Sequence, residues 1–141
     1  MKLPKSPYEK EGGLIYFPRM LDKIRLNLKG ELPDDYLTQL GKGLDMRCCR
    51  FLRVDYDRLV QKVESGLSDG EILEWSFIAG RKPGEDEKFV WNNFMIKLGW
   101  RDENPDIAKR VEAYKKASGL EERDDIITVF DYIEVDEKRR P

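Results

Sequence analysis

The sequence predicts an all-α protein: a single-domain, irregular bundle of about six helices with an extended N-terminal arm. Apolar residues recur at helical spacing along most of the chain, and caps, prolines and glycines separate the helical segments. A chain of 141 residues with 40% hydrophobic content is long enough for one core. We therefore expect one domain over residues 1–141, with an irregular arm at 1–12 and a frayed tail at 137–141.

The first helix is predicted over residues 18–29, after an apolar lead-in at residues 14–17. Proline suits the first turn of a helix because its missing N–H would have no intrahelical partner, so Pro18 marks the start. Gly30 marks the end. Between these residues an apolar face recurs at helical spacing, formed by Met20, Leu21, Ile24 and Leu28.

Local signals also delimit the helices in the middle of the chain. Asp34 or Asp35 is expected to cap a short turn, and a helix follows over residues 44–52. Asp55 is expected to cap a helix ending near Ser65 and Gly66. Ser68 with Glu71 forms a capping-box pattern for the next helix.

The second half is predicted to hold three helices. Residues 85–98 are apolar on two sides, and such a helix is expected to be central and packed between neighbours. Asn104 and Pro105 start the next helix, which ends at Gly119 and Leu120 in a Schellman pattern. The last segment, residues 124–134, is rich in strand formers, yet its apolar spacing is helical and no partner strand is evident, so we expect a helix.

Composition removes several classes of chemistry. The chain has no histidine, which excludes histidine acid–base catalysis and histidine-ligated metal sites. Cys48 and Cys49 are adjacent, a poor disulfide pair and too few for a zinc site. Their use suits a reducing compartment, and no stretch resembles a signal peptide or a membrane span. We expect a soluble cytoplasmic protein with no metal and no cofactor.

Five strings in order carry a family resemblance: GLIYFPRMLDKIR, RFLRVDYDRLV, SDGEILEW, WNNFMIKLGWRDE and DDIITVFDYIEVDE. Together they resemble an uncharacterised bacterial family, domain of unknown function 5069, from about residue 13 to residue 137. The resemblance implies a short, stand-alone, cytoplasmic bacterial protein. It implies no activity and no catalytic residue, and Cys48 and Cys49 depart from the family pattern.

The first candidate site lies on the edge of the first helix, at Tyr16, Arg19, Asp22 and Arg25. The three charged residues are spaced three apart, so neighbouring pairs can meet on the helix surface. One interpretation is a solvated ladder of salt bridges that stabilises little. The other is that Asp22 orients Arg25 in a pocket near Tyr16, where the guanidinium binds a carboxylate or phosphate.

A second candidate set, Asn92, Asn93 and Arg101, lies on and just after the apolar helix. Buried amides need hydrogen-bond partners, which backbone carbonyls, neighbouring charges or a ligand could supply. The three tryptophans of the chain are best explained as core anchors.

The basic stripe formed by Arg47, Arg50 and Arg53 could contact phosphates. Nearby acids and a net charge of −2 weaken that interpretation, so we do not expect a nucleic-acid partner.

The function best supported by the sequence is a small cytosolic binding or protein-interaction module without catalytic activity. The alternative is a small enzyme or small-molecule binder that recognises an anionic ligand through Arg25 and Asp22 beside an aromatic pocket. Convergence of these groups on one cavity would favour the alternative. An exposed apolar patch would favour a protein partner, and Ile78 and Ile127 are the first positions to inspect because each lies off the main stripe of its helix.

Overall fold

A computed structural model describes residues 2–141 of the chain. These residues are mainly helical, which confirms the predicted fold class. They form two compact units, one ending at Lys88 and the other running from Phe89 to Pro141.

The first unit holds two short strands, four α-helices and one 3₁₀ helix. The strands are β1 (Lys10–Glu11) and β2 (Leu14–Ile15). The helices are α1 (Phe17–Leu28), a 3₁₀ helix (Asp34–Gln39), α2 (Leu44–Leu52), α3 (Tyr56–Glu64) and α4 (Asp69–Ala79). A fifth helix, α5 (Glu85–Lys97), begins in this unit and continues into the second.

The last residues of the N-terminal arm form a hairpin, which corrects the expectation of an irregular arm through residue 12. Lys10 pairs with Ile15 and Glu11 with Leu14, in antiparallel register. The two residues between the strands, Gly12 and Gly13, have φ values of 56° and 80°. A two-residue hairpin loop favours positive φ at both positions, and glycine adopts it without steric cost.

The core of the first unit is built around α1. Its predicted apolar face is buried at Met20, Leu21 and Ile24, whereas Leu28 is about half exposed. α1 packs against α3 and β1, and α3 packs against α4. Phe17 and Leu59 are also fully buried, so the centre of this unit is apolar.

The caps predicted for α3 and α4 are confirmed, whereas the 3₁₀ helix begins after Pro33 and has no side-chain cap from Asp34 or Asp35. The Asp55 carboxylate accepts the backbone N–H of Arg58 at 3.1 Å. In the capping box of α4, Glu71 N–H donates to Ser68 Oγ at 3.2 Å and Ser68 N–H donates to Glu71 Oε1 at 3.0 Å. These bonds satisfy backbone donors that a helix start leaves unpaired, which explains why both helices begin where the sequence predicts.

The turn after α4 lies directly on the carboxyl end of α2. Arg81 N–H donates to the carbonyl of Leu52 at 3.0 Å, and Arg81 Nε donates to the carbonyl of Phe51 at 2.7 Å. A Cβ atom on Gly80 would lie 1.9 Å from the Leu52 carbonyl oxygen. Only glycine fits this close approach between two stretches of backbone.

The second unit contains the rest of α5, α6 (Asp106–Ala117) and α7 (Val129–Asp136). α6 packs against α7, with Val111, Ile126 and Val135 buried between partly buried neighbours. The predicted Schellman ending of α6 is present, because Leu120 N–H donates to the Lys115 carbonyl at 2.7 Å and Gly119 N–H to the Lys116 carbonyl at 3.3 Å.

The last helix begins later than expected, at residue 129 rather than 124. Its N-cap is Thr128, whose hydroxyl accepts the backbone N–H of Asp131 at 3.0 Å. Asp131 Oδ2 in turn accepts the N–H groups of Thr128 and Ile127, each at 3.0 Å. This capping box, which the sequence interpretation overlooked, explains the later start.

The tail expected to fray makes ordered ion pairs. Arg139 Nη1 donates to Glu137 Oε1 at 2.6 Å and to Glu134 Oε1 at 3.1 Å. Arg140 Nη1 donates to Asp131 Oδ1 at 2.9 Å. These bonds attach residues 139 and 140 to α7 and its cap.

The expectation that α5 is buried on two sides is wrong. Trp91 and Met95 are buried, but Phe89, Val90 and Phe94 are 68%, 64% and 42% exposed. One face of the helix thus packs in the core, while an apolar face remains in contact with solvent.

Candidate functional site

Tyr16, the aromatic member of the first candidate site, is fully enclosed rather than lining a pocket. It lies between β2 and α1 with a φ of 76°, a conformation that is uncommon outside glycine. Its hydroxyl donates to Asp45 Oδ1 at 2.5 Å. Burial, and then the neighbouring Asp45 carboxylate, raise the pKa of Tyr16 well above its ordinary value, so the phenol stays neutral and acts as a donor.

Asp45, in the first turn of α2, is the centre of a buried polar cluster. It has no exposed surface, and Lys23 is 5% exposed. Lys23 Nζ lies 3.1 Å from Asp45 Oδ1 and 3.0 Å from Oδ2, while Gly41 N–H donates to Oδ2 at 3.1 Å. With the bond from Tyr16, each carboxylate oxygen has two donors, so the cluster is saturated by the protein itself.

Sequence reasoning missed both Lys23 and Asp45 as members of this cluster. The signal in the sequence was Leu26, an apolar residue that lies three residues after Lys23 and seven after Arg19. The structure shows that Leu26 is buried. An apolar residue on that line of α1 indicates a second buried stripe beside the main apolar face. The two positively charged residues belong to that stripe, since Arg19 is also buried.

The adjacent thiols are inert packing groups. Cys48 and Cys49 are both free and buried, and Cys49 Sγ lies 3.9 Å from Met20 Sδ. Burial, and then the nearby Asp45 carboxylate, raise the pKa of Cys49 to about 12. Burial likewise raises the pKa of Cys48 well above its ordinary value. Neither residue has the thiolate character that nucleophilic chemistry requires.

Arg19 and Asp22 hold the N-terminal arm. Asp22 Oδ2 accepts the backbone N–H of Lys5 at 2.9 Å, and Arg19 Nη1 donates to the carbonyl of Lys5 at 3.0 Å. Both main-chain groups of one arm residue are therefore bound by side chains of α1. We call this pair of contacts the arm clamp.

Arg25 forms its ion pair with Asp69, not with the predicted Asp22. Arg25 Nη2 lies 2.5 Å from Asp69 Oδ1, on the first residue of α4. Arg25 also lines a surface cleft of about 500 Å³, with the other lining residues Leu28, Lys29, Val63, Glu64, Gly66 and Leu67. These lining residues are aliphatic or charged and none is aromatic, so the aromatic pocket predicted beside Arg25 is not formed by this cleft.

The second candidate set lies in the second unit. Asn93 Nδ2 donates to the Phe89 carbonyl one turn earlier at 2.9 Å, and Lys97 Nζ donates to Asn93 Oδ1 at 3.4 Å. Asn92 is half-buried. Arg101 is exposed, with its guanidinium 5.4 Å from the centroid of the Trp100 ring. The amide of Asn93 thus has one donor contact and one acceptor contact within its own helix.

The exposed apolar side chains are the remaining feature. Phe89, Val90 and Phe94 lie on adjacent rows of α5, and we call this surface the α5 face. Ile78 and Ile127, singled out from the sequence, are 85% and 48% exposed. Large apolar side chains grouped on one helix face are typical of binding surfaces.

Two other features are absent from the described residues. Within residues 2–141, no group of three or more cysteine, aspartate or glutamate side chains is placed to hold a metal ion. No helix in the described part of the chain is long and apolar enough to cross a membrane.

These observations define a small, mainly helical protein whose charged candidate residues bind its own chain and whose second unit exposes an apolar helix face. The chain belongs to the family described as Domain of unknown function (DUF5069), whose sequence model matches residues 1–139. The family resemblance inferred from the sequence is thereby confirmed. A comparison with curated proteins found no match.

Proposed function

We propose that this protein is a non-catalytic protein-binding module and that the α5 face is its docking surface. The observation that carries this proposal is the exposure of Phe89, Val90 and Phe94 on one face of a regular helix. Aromatic residues on such a face can anchor a partner because each buries a large apolar area with few rotatable bonds.

The charges at the two ends of α5 indicate what kind of partner fits. The first turn is acidic at Glu85, Asp86 and Glu87, and the last residue is Lys97. An amphipathic helix that lies antiparallel on the α5 face, with basic residues near the acidic turn and an acid near Lys97, would match both ends.

The remaining candidate residues support a non-catalytic role. Tyr16 donates to a buried carboxylate, and Arg19 and Asp22 bind the backbone of Lys5. A catalytic group must be able to reach a substrate, whereas these side chains are engaged by the chain itself.

A selection of helical peptides against the immobilised protein tests the proposal. We expect the recovered peptides to bind the native protein and to lose at least about tenfold in affinity for Val90→Asp, because a charge then lies at the centre of an apolar interface. The matched control is Ile78→Asp, since Ile78 is also an exposed aliphatic residue but lies on α4. Peptides that bind Val90→Asp as tightly as the native protein would contradict the proposal.

We further propose that the protein acts in a bacterial cytoplasm. Two adjacent cysteines that remain free support a reducing compartment, where thiols are kept unpaired. The bacterial setting rests on the family resemblance.

A second candidate function is recognition of a small anionic ligand in the cleft beside Arg25. The observation that favours it is that two cations, Arg25 and Lys29, line the cleft together with one acid, Glu64, and with aliphatic side chains. Such walls suit a carboxylate or phosphate ester with an apolar body, whose charged end would meet Arg25.

A thermal-shift screen with aliphatic carboxylates and phosphate esters tests this candidate. A ligand at a hundred times its Kd should stabilise the protein by about 2.7 kcal/mol. Arg25→Lys should remain folded and bind about tenfold more weakly, since lysine cannot form the two-pronged contact. Arg50→Lys, outside the cleft, should behave like the native protein. A hit that is equally strong with Arg25→Lys would exclude Arg25 as its binding residue.

A further inference from the structure

We infer that the partner of the α5 face is a second copy of this chain, paired antiparallel about a two-fold axis. This inference rests on the proposed function, because it names the occupant of the same surface. Its basis is the position of six side chains along α5.

Four of these side chains form one line on α5: Asp86, Val90, Asn93 and Lys97. Their spacings of four, three and four residues place them above one another on an α-helix. Phe89 and Phe94 flank this line on opposite sides, and all six are at least partly exposed.

The six positions are symmetric about the midpoint between Asp86 and Lys97, which lies between Trp91 and Asn92 near the middle of the helix. A two-fold axis through that midpoint places Asp86 of one copy opposite Lys97 of its partner. It places Phe89 opposite Phe94 and Val90 opposite Asn93. Each contact occurs twice, as required for an isologous interface.

Two of these pairs are chemically complementary. Asp86 and Lys97 carry opposite charges, and Phe89 with Phe94 forms an aromatic pair. Asn93 faces Val90 with one of its two amide N–H groups already donated to the Phe89 carbonyl. Parallel pairing would instead set Asp86 against Asp86 and Lys97 against Lys97, so like charges oppose the other orientation.

The size of the α5 face indicates how tightly two copies should bind each other. Helix α5 has 13 residues and is therefore about 20 Å long. One helix face of this length lies at the low end of stable interfaces, so we expect a dimer with a Kd of roughly 1–100 μM.

Sedimentation equilibrium of the full chain over about 5–500 μM tests the inference. We expect the native protein to show a monomer–dimer equilibrium. The variants Asp86→Lys and Lys97→Asp should each weaken the dimer affinity about tenfold. Each substitution places like charges at positions 86 and 97, which face each other twice in the dimer. The double variant Asp86→Lys with Lys97→Asp should return to within about threefold of the native Kd.

Val90→Asp should be monomeric over the same range, and the control Ile78→Asp should dimerise like the native protein. A native protein that stays monomeric throughout this range would overturn the inference. So would a double variant whose dimer affinity falls by the sum of the two single losses instead of recovering. If the native protein is monomeric but selected peptides still require Val90, the second copy is excluded while the docking function stands. If neither self-association nor peptide binding depends on Val90, both proposals fail.

Discussion

Replacement of Asp45 by alanine should lower the free energy of unfolding by about 3–5 kcal/mol. The reason is that Lys23, 5% exposed, would lose the carboxylate 3.0 Å away that balances its ammonium group in the interior. The Tyr16 hydroxyl and the Gly41 N–H would also lose their acceptor. Removal of one partner of a buried ion pair destabilises a protein by far more than the net stability that the intact pair supplies.

Urea denaturation followed by circular dichroism measures this loss. A double variant, Asp45→Ala with Lys23→Met, should recover about 2 kcal/mol because the buried charge is then absent. Asp57→Ala, an exposed acid on α3, should change stability by less than about 0.5 kcal/mol. An Asp45→Ala loss as small as that of the control would show that the cluster does not stabilise the fold.

Replacement of Gly80 by alanine should destabilise the protein by roughly 3 kcal/mol. The added Cβ would lie 1.9 Å from the Leu52 carbonyl oxygen and 2.7 Å from that of Arg53. Both atoms belong to the backbone at the end of α2, so relief requires the turn to move away and to give up the bond from Arg81 N–H to Leu52.

Gly84→Ala is the matched control, since it lies in the same loop and its Cβ would meet only the Glu87 side chain, at 3.7 Å. Its midpoint of thermal unfolding should stay close to the native value. If Gly80→Ala unfolds at the same temperature as this control, the close approach of the two backbone segments is not required by the fold.

The helices were largely predictable because their ends are encoded locally. The Asp55 cap, the Ser68–Glu71 box and the ending at Gly119 each involve residues within five positions of one another. Such signals can be recognised without knowledge of the tertiary contacts. The same reasoning could have found Thr128 and Asp131, where the strand-forming residues 126–130 obscured the capping pattern.

The hairpin and the buried cluster were not predictable in this way. Strands of two residues are too short to show alternation, so only Gly12 and Gly13 hinted at the turn. Lys23 and Asp45 are 22 positions apart, and only the folded chain brings them together. For the same reason the sequence suggested Asp22, a near neighbour, as the partner of Arg25 in place of the distant Asp69.

The exposed side of α5 shows that hydrophobic periodicity alone does not predict which helix faces are buried. Periodicity reports how many faces of a helix are apolar, but not whether a neighbour covers each face. Phe89 and Val90 lie on a face that the described chain leaves exposed, so the pattern that suggested a central helix is explained by a helix with one unoccupied face.

The arm clamp has a consequence for how this sequence can drift during evolution. Asp22 and Arg19 bind the N–H and the carbonyl of Lys5, groups that nearly every amino acid supplies. Mutations at position 5 are therefore tolerated by the clamp, except proline, which has no N–H to donate. Homologous sequences should accordingly vary at position 5 while retaining the acid and the arginine that bind its backbone.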